Sequence, residues 1–393
     1  MDHDRSWYPL FLPAVLLVAI LALEWNRSRC CDASASTRTS AGTSLTRGEP
    51  KPAATPAVAR EVFEGERNLS NLRQLTFGGE NAEAYWSFAE DRLVFQATRE
   101  PYKADQIYTM EANGARQTLV SGGVGRTTCA YFLPGDERII YASTYLAGKE
   151  PPAKPPHDRS LGYVWPIFNA YDIFTAKADG TDVQPLIQSP AYDAEATVSP
   201  RGDKIVFTST RDGDLDLYTC DIDGSNVKRV TDAPGYDGGA FFNWDGTKIV
   251  WRAPDRDTVD IEESKALLKR QLVRPSKLEI WIMDADGSNK KMVTKNGAAN
   301  FGPFWHPDGK RIIFSSNMHD PRGGNFELYL VNVETGKTER VTNFARKRPG
   351  ARRSDDFDGF PMFTRDGKKL VFCSNRFNEK PNETNVFVAD WTD

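Results

Sequence analysis

Six polar residues recur at one position of a repeated pattern. Asn81, Thr127, Asp193, Asp237, Asn300 and Asp358 each stand six residues before a turn, written SFAED, LPGDE, SPRGD, NWDGT, HPDGK or TRDGK. Two residues further along, Glu83 and Glu195 add carboxylates, opposed by Cys129, Gly239, Gly302 and Phe360. If the repeats surround one axis, these side chains converge near it. Such a ring attracts a hard cation or a basic peptide segment, and a carboxylate pair such as Glu83 and Glu195 is suited to proton transfer. Asx side chains also cap loops by bonding their own backbone. The ring is therefore a candidate ligand-binding mouth and equally a candidate set of loop caps; a divalent cation is its least expected occupant, and no cofactor is expected.

Other chemistries lack their residues. Only His157, His306 and His319 lie beyond the N-terminal region, and His306 occupies a turn position held elsewhere by Ser199 or Thr364. No Ser-His-Asp set stands at an identifiable spacing, and no Gly-rich phosphate loop follows a strand pattern. The five cysteines contain no CxxC pair; Cys129, Cys220 and Cys373 sit inside strand patterns and read as small buried hydrophobes. A net charge of -4 gives no reason to expect a nucleic acid partner.

The elements that must position the ring are strands. The apolar triplets after the six turns end at Phe95, Tyr141, Phe207, Trp251, Phe314 and Phe372, at spacings of 46, 66, 44, 63 and 58 residues. The shorter spacings suit a four-stranded propeller blade, and the longer ones carry insertions. Each repeat reads as a meander: an apolar strand, a tight turn, a β-branched strand such as KIVFTST, a strand such as DLYTC, and an Asp-Gly or Glu-Thr-Gly hairpin into a short outer strand. The sixth repeat ends at NVFVADWTD without an outer strand, whereas an orphan strand, NLRQLT at Asn71–Thr76, precedes the first. The expected fold is all-β: a six-bladed β-propeller over residues 66–393, closed by the N-terminal strand so that no sheet edge stays open.

These repeats resemble the TolB-like, WD40-like (PD40) propeller family, whose hallmark is S/H-P-D-G-x-x-I-V-F followed by D-I-Y-x-M-x-A-D-G. SPRGDKIVF, HPDGKRIIF, DLYTCDIDG and EIWIMDADG carry the likeness, which spans Asn71–Asp393. The resemblance implies the propeller fold, and in a propeller ligands or partners meet the loops at one mouth of the central channel. Propellers with this repeat include the oligogalacturonate lyases, whose metal site needs several histidines, and that cluster is missing here. The repeat also occurs before the hydrolase domain of prolyl oligopeptidase-type peptidases, but no G-x-S-x-G elbow is present.

Two insertions interrupt the same hairpin, in blades two and four, and should emerge on one face. The first, AGKEPPAKPPHDRSLGYVWPIFNAY, is proline-rich and ends in Tyr163, Trp165 and Phe168; the second, DTVDIEESKALLKRQLVRP, describes a short helix with Ile261, Leu268 and Leu272 on one face. Together they are candidate docking residues, or they pack on the propeller rim. Ahead of the propeller, Trp7–Trp25 is uncharged until Glu24 and long enough for a signal segment or a membrane anchor, within residues 1–31. The favoured reading is an uncleaved anchor, followed by a disordered Ser/Thr/Pro/Gly-rich linker over 32–65.

The sequence therefore points to an extracytoplasmic propeller, periplasmic or membrane-anchored, that binds a protein, peptide or envelope glycan without catalysis. The alternative is a carbohydrate-active lyase or hydrolase using channel carboxylates.

Overall fold

A computed structural model of the protein describes residues 57–156, 158–321, 323–343 and 356–393. The expected anchor, most of the linker and His157 lie outside the described residues. Among the described residues no helix is long and apolar enough to cross a membrane.

Among the described residues six antiparallel blade sheets surround the axis; five are meanders in sequence order, and the sixth takes its outer strands from the N-terminal end. The innermost strands are Glu80–Trp86, Thr127–Phe132, Asp193–Val198, Gly238–Phe242, Asn300–Trp305 and Asp358–Phe363. Each blade is held internally by one cross-strand aromatic pair between its second and third strands. The pairs are Phe95–Tyr108, Tyr141–Phe174, Phe207–Tyr218, Trp251–Trp281, Phe314–Tyr329 and Phe372–Phe387, with centroids 5.7–6.3 Å apart. Period-two alternation puts these rings on a buried face, where such pairs add about 0.5–1.5 kcal/mol each beyond their area. The turns explain themselves locally: at Ser199–Gly202 the Gly202 N–H donates to the Ser199 carbonyl at 2.7 Å, and Gly202 has φ +73°. A Cβ there would stand 2.6 Å from Pro134 of the neighbouring blade, so this position needs glycine for both angle and space.

The ring closes as the repeat count requires. Leu69–Gln74 pairs antiparallel with the last strand, Asn385–Trp391, in the register Leu69↔Trp391 and Gln74↔Phe387. The sheet also takes a fifth strand from the segment expected as linker, because Val58–Ala59 pairs with Gln74 and Arg73. Between the two, Glu66 is buried and bonded to Arg376 of blade six at 3.0 and 3.2 Å.

Candidate functional site

The six inner strands present three successive layers toward the axis. The first is the polar ring read from the sequence. Asn81, Thr127, Asp193, Asp237, Asn300 and Asp358 are all fully buried, and four of them are held by an arginine of their own blade. Asp193 meets Arg211 at 2.8 Å, Asp237 meets Arg256 at 2.6 Å, Asp358 meets Arg376 at 2.7 Å, and Asn81 accepts from Arg99 at 2.5 Å. Arg99 and Arg211 lie over the aromatic pair of their blade, Arg256 over Trp281 and Arg376 over Phe372. Each of these ring side chains is thus turned into its blade, where it carries the arginine that covers the ring stack. Asn300 instead donates to the Leu278 carbonyl at 2.6 Å, and Thr127 to the Asp105 carbonyl at 2.8 Å.

The second layer faces the axis. Glu83, Cys129, Glu195, Gly239, Gly302 and Phe360 all have φ between +50° and +61°, and every inner strand breaks its register at this point. One bulge repeated six times aims this residue inward. Four of the six are not glycine, although a left-handed conformation costs such residues about 1–2 kcal/mol each. The third layer, Tyr85, Tyr131, Thr197, Phe241, Phe304 and Met362, fills the channel below. Tyr85 and Phe241 are 5.2 Å apart, and Phe241 and Phe304 5.4 Å. What remains between them is a chamber of about 30 Å3 lined by Glu83, Cys129, Glu195, Arg252, Gly239 and Phe360, among others.

Arg252 is the site residue that sequence reasoning missed. It belongs to the second strand of blade four, Lys248–Pro254, and stands opposite Gly238. A Cβ on Gly239 would lie 2.4 Å from Arg252 Nη1, and one on Gly238 would lie 2.4 Å from Glu195 Oε2. The missing side chain of Gly239 is what lets the arginine enter the axis, and that of Gly238 leaves room for Glu195 and Tyr236. The doublet in YDGGAFF opposite the arginine of IVWRAP was the available signal. Replacing Gly239 with alanine is expected to destabilise the protein by about 2 kcal/mol or more, since the new Cβ meets both a left-handed φ and the guanidinium. Urea denaturation checks this, and an unchanged midpoint would show that Arg252 has another place to go.

Inside the chamber the carboxylates differ. Glu195 accepts from Tyr236 Oη at 2.5 Å, the Gly239 N–H at 2.7 Å, Thr208 Oγ1 at 2.8 Å and Arg252 Nη2 at 2.9 Å. Each of its oxygens receives two bonds, which saturates a carboxylate. Glu83 has no such set, and burial pushes its carboxyl up to about 7, with the Cys129 thiol as its hydrogen-bond partner and Glu195 adding repulsion. Burial, followed by the charges of Glu83 and Glu195, also holds the Cys129 thiol well above its ordinary range, so it is no nucleophile. Among the described residues no three or more His, Cys, Asp or Glu side chains are grouped to hold a metal ion.

The two insertions meet over this mouth. Trp165–Pro166 pairs antiparallel with Leu272–Val273, two segments about a hundred residues apart in the chain, in the register Trp165↔Val273. Arg274 ties the junction by donating to the Leu161 and Tyr163 carbonyls at 2.9 and 3.2 Å and pairing with Glu263 at 2.6 Å. The Trp165 ring lies 5.8 Å from the Arg252 guanidinium and 5.9 Å from Phe301, while Phe168 is buried beneath Arg126. Helix α1, Ile261–Lys269, begins at Asp260, whose carboxylate accepts from the Glu263 N–H. It is shorter than the sequence pattern suggests: it ends before Leu272, which lies in the ribbon, and its buried residue is Leu267, with Leu268 partly buried and Ile261 exposed. The insertions therefore combine both readings, packing inward through Trp165, Phe168 and Leu272 while leaving Tyr163 and Ile261 exposed beside Tyr145 and Leu146, which precede the first insertion.

No family profile matches the chain. The Tol-Pal system protein TolB of Francisella tularensis is 30% identical over 115 residues, which is 28% of this chain and 22% of that protein. An uncharacterised protein of Agrobacterium fabrum is 30% identical over 102 residues, 26% of this chain and 30% of the other. The crystal structure of TolB from Acinetobacter baumannii superposes with a TM-score of 0.50 at 17% identity, covering 80% of this chain and 64% of that one. The propeller is TolB-like. The similarity in sequence spans less than a quarter of the length of the TolB proteins it matches, and the likeness to the solved TolB structure concerns the fold.

Proposed function

We propose that this TolB-like propeller is a non-catalytic binding disc, held on the extracytoplasmic side, that receives a polypeptide partner on its capped face. The carrying observation is the joined pair of insertions, which covers the channel mouth and offers Tyr163 and Ile261 to solvent, with Tyr145 and Leu146 just ahead of the first insertion, at 38–58% exposure. Aromatic and aliphatic anchors on a rigid scaffold suit protein recognition. Chamber size supports the same reading, since about 30 Å3 is an order of magnitude below the ~300 Å3 at which small-molecule pockets begin. The apolar run Trp7–Trp25 supports the extracytoplasmic placement, and the TolB relatives are named for the Tol-Pal system.

A photo-crosslinking residue placed at Tyr163 or Leu146 in the full-length protein in its own cells tests this. Discrete adducts with a polypeptide are expected from these positions and none from Lys310, on the opposite face. Equal labelling from both faces would overturn the reading.

One observation favours the carbohydrate-active alternative: Glu83, with its carboxyl pushed up to about 7, shares a chamber with the fully bonded Glu195, an unequal pair of the kind used for acid and base roles. That reading requires the cap to open. It predicts turnover of an envelope glycan that disappears in Glu83→Gln, and polypeptide adducts unaffected by the same change.

A further inference from the structure

We propose that the axial chamber is a binding site for a monovalent, halide-sized anion such as chloride, taken up together with a proton on Glu83. The inference goes beyond partner binding, and the chamber and the cap surface can fail independently.

The first support is an unpartnered donor. Arg252 is 7% exposed and spends Nη2 on Glu195 and the Tyr236 hydroxyl, yet its buried Nε has no hydrogen-bond partner. A buried guanidinium N–H without an acceptor costs stability, so the site is built to receive one. Neither chamber carboxylate bonds it: both Glu195 oxygens are saturated, and Glu83 acts on Arg252 through its charge alone. The second support is space. The chamber has room for about two water-sized guests, and Gly239 on its wall leaves Arg252 the place that a Cβ would take.

Donor chemistry then selects the guest. With Glu83 protonated, the chamber offers the Arg252 Nε–H and a carboxyl O–H, and the Cys129 thiol already bonds Glu83. Tyr85, Phe241 and Phe360 supply aromatic walls. A water molecule in this position must still place its own two protons. A halide accepts from both donors and has none to place.

Charge bookkeeping agrees. The Arg252–Glu195 pair is neutral, so an ionised Glu83 leaves the chamber at one negative charge; a protonated Glu83 with one halide leaves it the same. Exchanging the carboxylate charge for H+ plus Cl− changes no net charge in the buried space, which avoids the main penalty of burying an anion. The groups facing Glu83 are Cys129, Glu195, Arg252, Asp105, Tyr85 and Cys373, whereas blades four and five contribute Gly239 and Gly302 at this layer. Uptake is accordingly favoured below the Glu83 pKa and lost as pH rises through it.

The test uses the full-length protein in detergent, melted in sodium chloride or in sodium gluconate at equal ionic strength, gluconate being too large for the chamber. At pH 6 chloride is expected to raise Tm by about 2–4 °C in a saturable way, with the effect gone at pH 8.5. Glu83→Gln, which keeps a permanent donor, should retain the chloride response at both pH values, and Arg252→Lys, which keeps the charge and loses Nε, should abolish it. Crystals soaked in bromide at pH 6 should show an anomalous peak beside Arg252 Nε. A chamber holding only water, or a chloride response equal at both pH values in the unmodified protein, would overturn the proposal. Should a variant fail to fold, the bromide map of the unmodified protein still decides.

Discussion

Replacing Arg376 with methionine is expected to destabilise the propeller by about 3–5 kcal/mol, the range for removing one partner of a buried ion cluster. Arg376, Glu66 and Asp358 are fully buried as side chains, with the guanidinium 2.7 Å from Asp358 and 3.0 Å from Glu66. Methionine fills much of the same volume but leaves two carboxylates facing each other without a cation. Burial of the arginine over Phe63 and Phe372, each about 5.0 Å away, adds contacts that the shorter side chain forfeits. The consequence reaches beyond one blade, because Glu66 sits on the segment that carries both closing strands, Val58–Ala59 and Leu69–Gln74. Loosening it exposes the edge of Asn385–Trp391 to other chains. Urea denaturation measures the loss, with concentration-dependent aggregation as the accompanying sign. Lys204→Met at the solvent-facing Lys204–Asp221 pair serves as a comparison with little expected change. A loss for Arg376→Met no greater than for Lys204→Met would mean that the closing blade does not depend on this cluster.

The second large effect is a gain. Glu83→Gln should stabilise the protein by about 2–3 kcal/mol at pH 8.5 in gluconate buffer and leave it unchanged near pH 4. The sign follows from burial, which raises the Glu83 carboxyl from 4.5 to about 7. Between those values the folded state holds a proton that the unfolded state has released. Stability therefore falls as pH rises through this window, and above it the folded chain carries the full cost of a buried carboxylate. Glutamine is neutral at every pH and avoids that cost. Glu80 and Asp237 are also raised to about 7 and contribute slopes of their own. The readout is accordingly the difference between the two proteins across pH, from paired denaturation curves. Parallel curves would show that Glu83 is solvated or paired in a way its surroundings here do not provide.

Much of the architecture was legible because its signals are local and repeated. A turn such as HPDG forces a hairpin wherever it stands, period-two burial follows from the pleat, and six repetitions with one missing outer strand demand closure by Asn71–Thr76. The ring positions were equally legible, since one alignment places Asp193 and Asp237 at equivalent points. Where their side chains point was not. Asp193 turns into its blade because Arg211, 18 residues along, returns to cover the Phe207–Tyr218 stack and pairs with it. The spacing was there to see, since Asn81–Arg99, Asp193–Arg211 and Asp358–Arg376 all stand 18 residues apart, but only the folded hairpin shows that the two side chains meet over the ring stack.

The sequence by itself determined the number of blades, their order, the closing strand and the existence of two insertions on one face, because each follows from short-range backbone preferences summed over repeats. Tertiary structure alone decided what the centre contains. The sixfold bulge turns Glu83 and Glu195 to the axis, the absent side chain of Gly239 admits Arg252, and a ribbon of Trp165–Pro166 with Leu272–Val273 joins segments from different blades. These are contacts between residues far apart in the chain, set by which side chain fills a space that another leaves. Such complementarity exists only once the blades stand around their axis.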